Sequence, residues 1–326
     1  MIHQLKAYCS ETFDPHYNLA TEQYLLESVQ PGQCILYLWQ NQNTVVIGRN
    51  QNPWSECKTA LLEAEGGSLV RRLSGGGAVF HDLGNLNFTF LVSTEDYDLD
   101  QQLHVILTAC QSLGLNADRS GRNDILCDGR KFSGNAFFKH QGRSYHHGTL
   151  LVSADMEKLS RYLTPSKAKL ATKGVDSVRS RVVNLCELCP ELTIPLLKEK
   201  FLAAFGQVYK LPVEHLTADM LDQKSISRLE EHYRSWDWKY GRRIPFTCAM
   251  EGRFSWGGVQ LQLQVDEGMI RDCRVFSDCM SWDSFPALER ALVGCHFDPA
   301  ELSSVIMSTC PDVGADICKL LEEQEF

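Results

Sequence analysis

The chain has 326 residues, a hydrophobic content of 44% and a formal net charge of −9. This length predicts about two domains with cores of their own, and the negative charge argues against general attraction to nucleic acid or to an anionic membrane. The start of the chain has no signal-peptide pattern, and no run reaches the roughly 20 apolar residues that span a bilayer. We therefore expect a cytoplasmic protein, and we expect most of its 13 cysteines to be reduced and buried.

The N-terminal part of the chain predicts a helix followed by strands. Asp14 and Pro15 form an N-cap and first-turn pair, which predicts an amphipathic helix to about Glu27. Residues 34–39 and 44–47 are β-rich runs separated by polar turn residues, a pattern typical of a hairpin. This part of the chain should therefore contribute two neighbouring strands to a sheet.

Residues 69–90, LVRRLSGGGAVFHDLGNLNFTF, form the segment with the strongest chemical signal. Three consecutive glycines let backbone N–H groups approach an anion or a carbonyl closely, and the pair Arg71 and Arg72 supplies permanent charge beside them. The segment lacks the Gly-Lys-Ser/Thr of a P-loop and the GxGxxG that opens a dinucleotide-binding helix. Strand-like residues follow the glycines instead, which predicts a ligand loop within an antiparallel sheet. A glycine-rich hairpin with exposed arginines is the alternative.

A second polar cluster surrounds a predicted hairpin in the middle of the chain. Asn123 and Asp124 precede a short strand, and the Asp-Gly pair that follows it is a strong signal for a two-residue turn. Alternation along the return strand predicts that Lys131 and Ser133 share one polar face and that the strand ends at Gly134. A lysine on a strand is most often a surface residue, and an aspartate beside a turn often only caps it.

Two further features follow towards the C-terminus. Residues 167–181 carry five cations, which predicts either a solvated basic loop or a lid that orders over phosphates. Residues 259–265 alternate apolar and polar side chains, a Glu-Gly turn comes next, and helical patterns fill most of the rest. We therefore predict a first domain at residues 1–243 and a small α+β domain at residues 244–326.

Five motifs can be read in order along the chain, namely VVIGRNQNPW, RRLSGGGAVFHDLGN, RNDILCDGRKFSGNAF, HHGTLL and KGVDSVRSRVVNL. Their order and spacing closely resemble those of the bacterial lipoate-protein ligases of the A type, and the resemblance covers nearly the whole chain. It implies an α+β fold with a mixed, largely antiparallel central sheet of the biotin/lipoyl-ligase type, flanked by helices, and a small C-terminal α+β domain.

The resemblance also implies a two-step reaction. Lipoate and MgATP give lipoyl-AMP and pyrophosphate, and the lipoyl group then passes to a lysine on an acceptor lipoyl domain. The expected acceptors are the apo lipoyl domains of 2-oxoacid dehydrogenase complexes and the glycine cleavage H protein. Attack of a carboxylate on a phosphate brings two anions together, so such a site needs fixed cations and hydrogen-bond donors more than a nucleophilic side chain.

Matching motif positions implies a set of ligand-binding residues. ATP or adenylate would contact Arg72, Gly77, Ala78, Val79, Phe80 and Lys131; lipoate would contact Lys131 and a loop formed by Arg71, Ser74, Gly75 and Gly76; magnesium and phosphate would meet Asn123 and Asp124. Lys131 is the predicted catalytic residue, because a point charge can bridge carboxylate and phosphate. Residues 167–184 match the adenylate-binding loop. We assign no proton transfer to His81, His146 and His147, because a loop or strand histidine often only hydrogen-bonds its neighbours.

Three other activities fit parts of the pattern. A lipoyltransferase that uses preformed lipoyl-AMP keeps the same fold and most of the motifs. An octanoyltransferase of this fold holds its acyl group on a cysteine, which requires an activated thiolate in the pocket; Cys127 and Cys186 lie nearest to the motifs. A non-catalytic module that binds lipoate or lipoyl domains is disfavoured by the intact polar cluster.

Overall fold

The fold is given by a computed structural model that describes residues 1–121, 123–164, 182–241, 247–280 and 284–322. The strands of its larger part are β1 (Gln4–Cys9), β2 (Gln33–Trp39), β3 (Thr44–Ile47), β4 (Ser68–Arg71), β5 (Val79–His81), β6 (Asn85–Ser93), β7 (Ala117–Ser120), β8 (Asp124–Cys127), β9 (Arg130–His140), β10 (Arg143–Leu151) and β11 (Val213–Leu216). Eight of them form one mixed sheet in the order β11-β1-β2-β6-β10-β9-β8-β7, and β3, β4 and β5 form a second sheet.

The helices of the larger part, within the described residues, are α1 (Pro15–Ser28), α2 (Pro53–Glu56), α3 (Thr59–Ala64), α4 (Leu99–Gln111), α5 (Met156–Tyr162), α6 (Leu185–Leu188), α7 (Ile194–Tyr209), α8 (Gln223–Arg234) and α9 (Trp236–Tyr240). Helix α1 begins as predicted, because the side chain of Asp14 accepts hydrogen bonds from the N–H groups of His16 and Tyr17. None of the helices in the described ranges is long and apolar enough to cross a membrane.

Helices cover both faces of the large sheet, so its central strands are buried on both sides. Along β2, Cys34, Leu36 and Leu38 belong to one core, which α4 and α7 complete. The alternate residues Ile35, Tyr37 and Trp39 belong to a second core, which α1 and α8 complete. This period-two division of a nearly continuous apolar strand follows from the pleat. The predicted α+β class is confirmed.

The predicted hairpin of β2 and β3 is wrong, because the two strands lie in different sheets. Strand β3 pairs in parallel with β4 on one side and antiparallel with β5 on the other. Asn43, between β2 and β3, has a left-handed backbone (φ 44°), and the chain there leaves the large sheet. The glycine-rich loop therefore connects the two outer strands of a mixed three-stranded sheet, and the antiparallel setting predicted for it is corrected.

The predicted turn between β8 and β9 is present, with φ of 49° at Asp128 and 75° at Gly129. Its return strand is longer than predicted. Instead of ending at Gly134, β9 continues to His140, because β10 pairs with it along this additional length. Strand β10 supplies hydrogen-bond partners for the backbone of β9 after Gly134. The local sequence around Gly134 does not predict this pairing.

A β-bulge at Phe132 changes which side chains of β9 share a face. Ser133 and Lys131 pair with adjacent residues of β8, so the intervening Phe132 has no partner in the ladder. Phe132 is fully buried in the apolar core. The predicted common face of Lys131 and Ser133 is therefore wrong: the end of the Lys131 side chain lies over Gly134.

The C-terminal part forms its own small α+β unit with a separate core. Its elements are β12 (Cys248–Phe254), β13 (Gly257–Asp266), β14 (Met269–Ser277), α10 (Phe285–Leu292), α11 (Pro299–Thr309) and α12 (Gly314–Glu322). The predicted turn at Glu267 and Gly268 joins β13 to β14, whereas β12 was not predicted. The proposed domain boundary between residues 243 and 244 falls within residues 242–246, outside the described residues, and stays a prediction.

The small unit contacts the larger part beside the glycine-rich loop. The N–H of Ser277 donates to the carbonyl oxygen of Asn50 at 2.8 Å, and the N–H of Gly76 donates to that of Cys279 at 3.4 Å. Gly75 permits this approach, because a Cβ at that position would lie 2.3 Å from the Cys279 carbonyl oxygen. The two parts therefore meet where the sequence predicts a ligand loop.

Candidate active site

A cavity of about 260 Å³ lies on the face of the large sheet that α1 covers. It brings together seven of the predicted site residues: Arg72, Gly77, Ala78, Val79, Asn123, Asp124 and Lys131. The remaining wall was not predicted and consists of Leu19, Trp39, Val46, His81, Asn87, Gly134, Asn135, Ala136, His147, Gly148, Thr149 and Met280. The two polar clusters that stand far apart in the sequence thus border one cavity.

The polarity of the cavity changes from strand to strand. Apolar side chains, Leu19 of α1 and Trp39 of β2, lie at one end, and Thr149 of β10 lies between. Lys131 of β9 and Asp124 of β8 lie at the other end. Four steps of about 4.8 Å each separate β2 from β8 across the sheet. The cavity therefore suits an elongated ligand with an apolar end and an anionic end.

Lys131 is the cation at the charged end of the cavity. Its Nζ lies 2.7 Å from Oδ1 of Asp124, and the two side chains are 36% and 43% exposed. Gly134 provides the space for this amine, since a Cβ there would lie 3.2 Å from Nζ and 3.3 Å from Cε of Lys131. An ion pair this exposed is weak. An anionic ligand can therefore replace Asp124 as the partner of Lys131.

Arg72 organises the glycine-rich loop from within. Its Nη2 donates to the carbonyl oxygens of Gly75 at 2.7 Å and Gly77 at 2.8 Å, and its Nε donates to Oγ of Ser74 at 3.0 Å. Burial lowers the pKa of Arg72 to about 10, so the guanidinium stays charged at neutral pH. A buried cation thus holds the loop in shape and adds positive potential at the cavity wall.

Arg71, which the motif match placed beside lipoate, does not line the cavity. Its guanidinium donates to five main-chain carbonyl oxygens, those of Gly48, Arg49, Gln51, Trp238 and Lys239. Burial lowers its pKa to about 9. Arg71 therefore ties β4 to α9. Ser74, Gly75, Gly76 and Phe80 are also absent from the described cavity wall, and Phe80 packs on Tyr162 with ring centroids 5.4 Å apart.

A buried polar network that the sequence did not predict supports the glycine-rich loop. Oγ of Ser74 lies 2.8 Å from Nε2 of His147, whose Nδ1 lies 2.8 Å from Oε1 of Glu22. Because Arg72 already donates to Ser74, the serine proton points to Nε2, and Nδ1–H of His147 donates to Glu22. Thr89 also donates to Glu22, at 2.7 Å. These residues come from α1, β6, β10 and the loop, so only the fold brings them together.

The spacing of Ser74, His147 and Glu22 is that of a catalytic triad, but its setting is different. Ser74 is fully buried and is not part of the described cavity wall. Its oxygen also accepts a hydrogen bond from Arg72, which stabilises the loop and leaves no approach for a substrate carbonyl. The network therefore acts as a support for the loop and not as a nucleophile.

Two buried donors or acceptors in the cavity wall have no hydrogen-bond partner within the described residues. They are Nε2 of His81 and Nδ2 of Asn87. Burial lowers the pKa of His81 to about 3, so this imidazole is neutral at physiological pH. Buried polar atoms are normally paired. Both atoms are themselves shielded, so neither is exposed to a ligand in this conformation.

The residues predicted to meet magnesium fit a site that is shared with a substrate. Asn123 and Asp124 line the cavity beside Lys131. Within the described residues there is no group of three or more His, Cys, Asp or Glu side chains that can hold a metal ion by themselves. Magnesium is commonly held by one or two carboxylates together with substrate phosphates. Asp124 therefore fits as the single carboxylate of such a site.

The predicted adenylate-binding loop lies mostly outside the described residues, which omit residues 165–181. Its last residues are described. Val182 forms a parallel bridge with Lys131, and the N–H of Val183 donates to the carbonyl oxygen of Lys131 at 2.9 Å. The chain that follows the basic segment therefore runs directly beside Lys131.

Two family models match the chain. Residues 14–206 match the lipoyl protein ligase A/B catalytic domain, and residues 243–322 match the bacterial lipoate protein ligase C-terminus. A curated relative from Psychrobacter cryohalolentis, lipoate-protein ligase A, is 41% identical over 309 residues, which are 92% of this chain and 91% of the relative.

Solved structures show the same architecture. The crystal structure of P. falciparum LipL1 in complex with lipoate is 27% identical, with a TM-score of 0.84 over 98% of this chain and 100% of that one. A bipartite lipoate protein ligase from Thermoplasma acidophilum, described with its E2 lipoyl domain, is 25% identical, with a TM-score of 0.66 over 75% of this chain and 99% of that one. The first of these matches spans both the large and the small unit.

Proposed function

Because the chain belongs to the lipoyl protein ligase A/B family, we propose that its cavity forms lipoyl-AMP from lipoate and ATP and then passes the lipoyl group to a protein lysine. The activity is that of a lipoate ligase. One observation carries the two-step proposal: Lys131 and Asp124 share a cavity with the apolar side chains of Leu19 and Trp39. An aliphatic acid can place its chain on the apolar wall while its carboxylate reaches the lysine.

In the first step, a carboxylate oxygen of lipoate bonds to the α-phosphorus of ATP, and pyrophosphate leaves with the electrons of the broken P–O bond. Lys131 lies at the charged end of the cavity, where its ammonium group stabilises the negative charge of both reactants and of the transition state. Arg72 adds fixed positive charge through the glycine-rich loop that it holds. No protein nucleophile is required.

Magnesium is a proposed cofactor for this step. Asp124 and Asn123 would hold it, because they supply a carboxylate oxygen and an amide oxygen beside Lys131. When bound, magnesium supplies positive charge to the phosphate oxygens. The exposed pairing of Asp124 with Lys131 leaves the carboxylate free to exchange partners as the nucleotide enters.

In the second step, the amine of an acceptor lysine attacks the acyl carbon, the acyl–phosphate bond breaks, AMP leaves and the amine loses a proton. The proposed acceptors are lipoyl domains of 2-oxoacid dehydrogenase complexes and the glycine cleavage H protein. The Thermoplasma acidophilum relative, which was described with an E2 lipoyl domain, supports this class of partner. Lys131 remains beside the phosphate and stabilises the leaving AMP.

Mass spectrometry of an apo lipoyl domain tests the proposal. The domain is incubated with the protein, Mg²⁺, ATP and lipoate, and we expect it to gain the mass of one lipoyl group. Omission of ATP is the control and should abolish the gain. Modification without ATP would contradict the proposal. Pyrophosphate release from ATP and lipoate alone separates a ligase from a lipoyltransferase that needs preformed lipoyl-AMP.

The cysteine-dependent octanoyltransferase is disfavoured by the positions of the thiols. Each of the 13 cysteines is buried or half-buried. The residues described in the cavity wall include no cysteine. Burial raises the pKa of the Cys127 thiol, which is the opposite of the activation that an acyl-cysteine intermediate needs. Cys127 is therefore a core thiol.

A further inference from the structure

A buried chain of hydrogen bonds connects helix α4 to the segment that carries Asn123 and Asp124. Its members are Gln102 on α4, His146 on β10 and Asn135 on β9, with exposed fractions of 0%, 0% and 6%. Nδ1 of His146 lies 3.2 Å from Oε1 of Gln102, and Nε2 lies 2.8 Å from Oδ1 of Asn135. Asn135 then donates twice to the carbonyl oxygen of Asn123, through its backbone N–H at 2.8 Å and through Nδ2 at 2.9 Å.

The direction of each hydrogen bond in this chain follows from its last acceptor. A carbonyl oxygen only accepts, so Asn135 presents Nδ2 to Asn123 and Oδ1 to His146. His146 must therefore carry its proton on Nε2, and its Nδ1 is an acceptor. Burial lowers the pKa of His146 to about 3, which is consistent with one ring proton at neutral pH.

Gln102 is the first donor in this chain of hydrogen bonds, provided that its amide nitrogen, and not its oxygen, faces His146. Its Nε2 has no partner within the described residues, while its Oε1 faces Nδ1 of His146. Oxygen and nitrogen of an amide are assigned from the hydrogen-bond network. A half-turn of the amide lets Nε2–H donate to Nδ1 and removes the unpaired donor. The chain then runs in one direction from Gln102 through His146 and Asn135.

Aromatic packing holds the imidazole of His146 in this orientation. Its ring centroid lies 5.3 Å from that of Phe88, 5.9 Å from that of Phe90 and 5.1 Å from that of Phe137. All three contacts restrict rotation of the ring in a close-packed core. Asn135 is therefore held by a rigid support, whereas the Lys131–Asp124 pair beyond it is half-exposed.

We propose that Asn135 is a positioning residue for the formation of lipoyl-AMP: it fixes the carbonyl group of Asn123 and so keeps Asp124 beside Lys131. This inference rests on the proposed function. Asp124 directly follows Asn123, and it pairs in the ladder with the residue that precedes Asn135. The exposed ion pair holds its own geometry only weakly. The buried chain supplies the rigidity that the pair lacks.

The main test compares the two half-reactions in the variant Asn135→Ala. The substitution removes the side-chain bond to Asn123 but keeps the backbone bond. We expect kcat for pyrophosphate release from ATP and lipoate to fall about tenfold, because a misplacement of about 1 Å can cost about 10²-fold and the retained backbone bond limits the movement. Transfer from preformed lipoyl-AMP and the Kd for lipoate should change less than about twofold, since neither needs Asp124 in place.

Hydrogen exchange gives a readout that does not depend on activity. In Asn135→Ala, amides of the peptide that contains Asn123 and residues 124–127 should exchange faster than in the wild type. Ser144→Ala is the matched control, because it removes one partly buried hydrogen bond from the neighbouring strand β10, to Thr94 at 2.9 Å. This control should leave exchange at residues 123–127 and pyrophosphate release within about twofold of wild type.

Replacement of His146 tests the supporting member of the chain. His146→Gln keeps a donor for Asn135, whereas His146→Leu does not, so the loss of pyrophosphate release should be larger in the leucine variant. Nitrogen-15 NMR of the folded wild type should show the Nε2–H tautomer at His146. The Nδ1–H tautomer would overturn the direction of the chain.

Three results contradict the proposal: equal losses in both half-reactions of Asn135→Ala, unchanged exchange at residues 123–127, or the same effects in Ser144→Ala. Any one of them assigns Asn135 to general stability. A wild-type protein that releases no pyrophosphate would instead contradict the proposed function. In that case hydrogen exchange and the His146 tautomer still decide whether Asn135 holds Asn123.

Discussion

The glycine-rich loop and the Asn123–Asp124 segment border the same cavity, but they are held in different ways. The loop is held by Arg72, which donates to the carbonyl oxygens of Gly75 and Gly77, and by the buried Ser74. Asn123 and Asp124 are half-buried. Within the described residues, Asn135 and the ladders of β8 with β7 and β9 hold them to the protein interior.

The two adjacent histidines of β10 explain how one strand supports both regions. Successive side chains of a strand point to opposite faces. His147 faces the cavity and holds Ser74, while His146 faces the core and holds Asn135. The glycine-rich loop is thus held by hydrogen bonds from buried side chains. The Asn123–Asp124 segment keeps the Asp124 carboxylate accessible, and the strand ladder together with the hydrogen bonds from Asn135 holds it in position.

Lys131→Ala should have the largest effect, because it removes the charge that we propose faces both reactants. Loss of one preorganised group commonly costs on the order of 3 kcal/mol, or about a hundredfold in the rate of lipoyl-AMP formation. Pyrophosphate release measures it. Lys139→Ala, on the exposed end of the same strand, is the matched control and should keep the wild-type rate. A nearly normal rate in Lys131→Ala would remove the lysine from the mechanism.

Gly134→Ala should reduce the rate of lipoyl-AMP formation about tenfold. A misplaced lysine that raises the activation free energy by about 1.4 kcal/mol is enough for that factor. The new Cβ would lie 3.2 Å from Nζ of Lys131, so the amine must shift by a few tenths of an ångström from its place beside Asp124. The unfolding midpoint in urea should change little, since the clash involves the far end of a flexible side chain. A crystal structure of the variant with an unmoved Lys131 and full activity would contradict this explanation.

Glu22→Ala should damage the glycine-rich loop instead, and with it both half-reactions. The substitution leaves His147 and Thr89 without their acceptor. Unsatisfied buried groups cost about 1–3 kcal/mol each in the free energy of unfolding. Urea unfolding measures the loss, and separate assays of the two half-reactions should show similar decreases. Loss of only the first half-reaction, as expected for Asn135→Ala, would erase the difference between the two regions.

Acid should destabilise the protein through the buried histidine of the Asn135 support. Burial lowers the pKa of His146 from 6.5 to about 3. Between pH 6.5 and about pH 3 the unfolded chain therefore binds more protons at this histidine than the folded chain does. The neutral, buried His146 thus stabilises the fold fully above pH 6.5, and this stabilisation is lost as the pH falls towards 3. The slope is about 1.4 kcal/mol per pH unit for one such group.

Urea unfolding of the wild type and of His146→Gln between pH 6 and pH 4 isolates this contribution. The dependence of unfolding free energy on pH should be smaller in the variant by about 1.4 kcal/mol per unit. His104→Gln, which replaces an exposed histidine on α4, is the control. Equal slopes in wild type and His146→Gln would show that His146 is not held neutral by burial.

Met280→Ala should have the smallest effect. Met280 lines the cavity from the C-terminal unit, and its Cε lies 3.0 Å from the Cβ position of Gly76. It carries no charge for the reaction, so we expect kcat to stay within about twofold and KM for lipoate to change about threefold or less. A loss of kcat as large as that of Lys131→Ala would show that the small unit supplies an essential group.

Several parts of the site were predictable because their signals are local. The glycines after Arg72 mark a loop that only small residues can form, and the Asp-Gly turn places Lys131 shortly after Asp124. Both signals depend on residues within one turn of the chain. The motif match then predicted a common ligand for the two segments, and the cavity does bring them together.

Other parts escaped prediction because they depend on pairing between distant segments. The bulge at Phe132 reverses the face that the local alternation indicates for Ser133 relative to Lys131. The sequence predicts that Arg71 binds a ligand. In the structure its guanidinium instead donates to main-chain carbonyl oxygens of the segment that follows β3 and of α9. A histidine pair such as residues 146–147 has no signal of its own, since its partners lie on four other segments: α1, the glycine-rich loop, α4 and β9.

The amino-acid sequence by itself determined the chemistry that this protein can perform: the charges, the glycine loop, the turn before Lys131 and the family to which they belong. Only the tertiary structure decided which of these groups reach the cavity and what holds them. The physical reason is that composition and turn geometry are local properties, whereas burial and hydrogen-bond partners are set by the order of strands in the sheet. The sheet brings Glu22 to His147, which supports the glycine-rich loop, and Gln102 to His146, which supports the Asn123–Asp124 segment. Both partners lie far from these regions in the sequence.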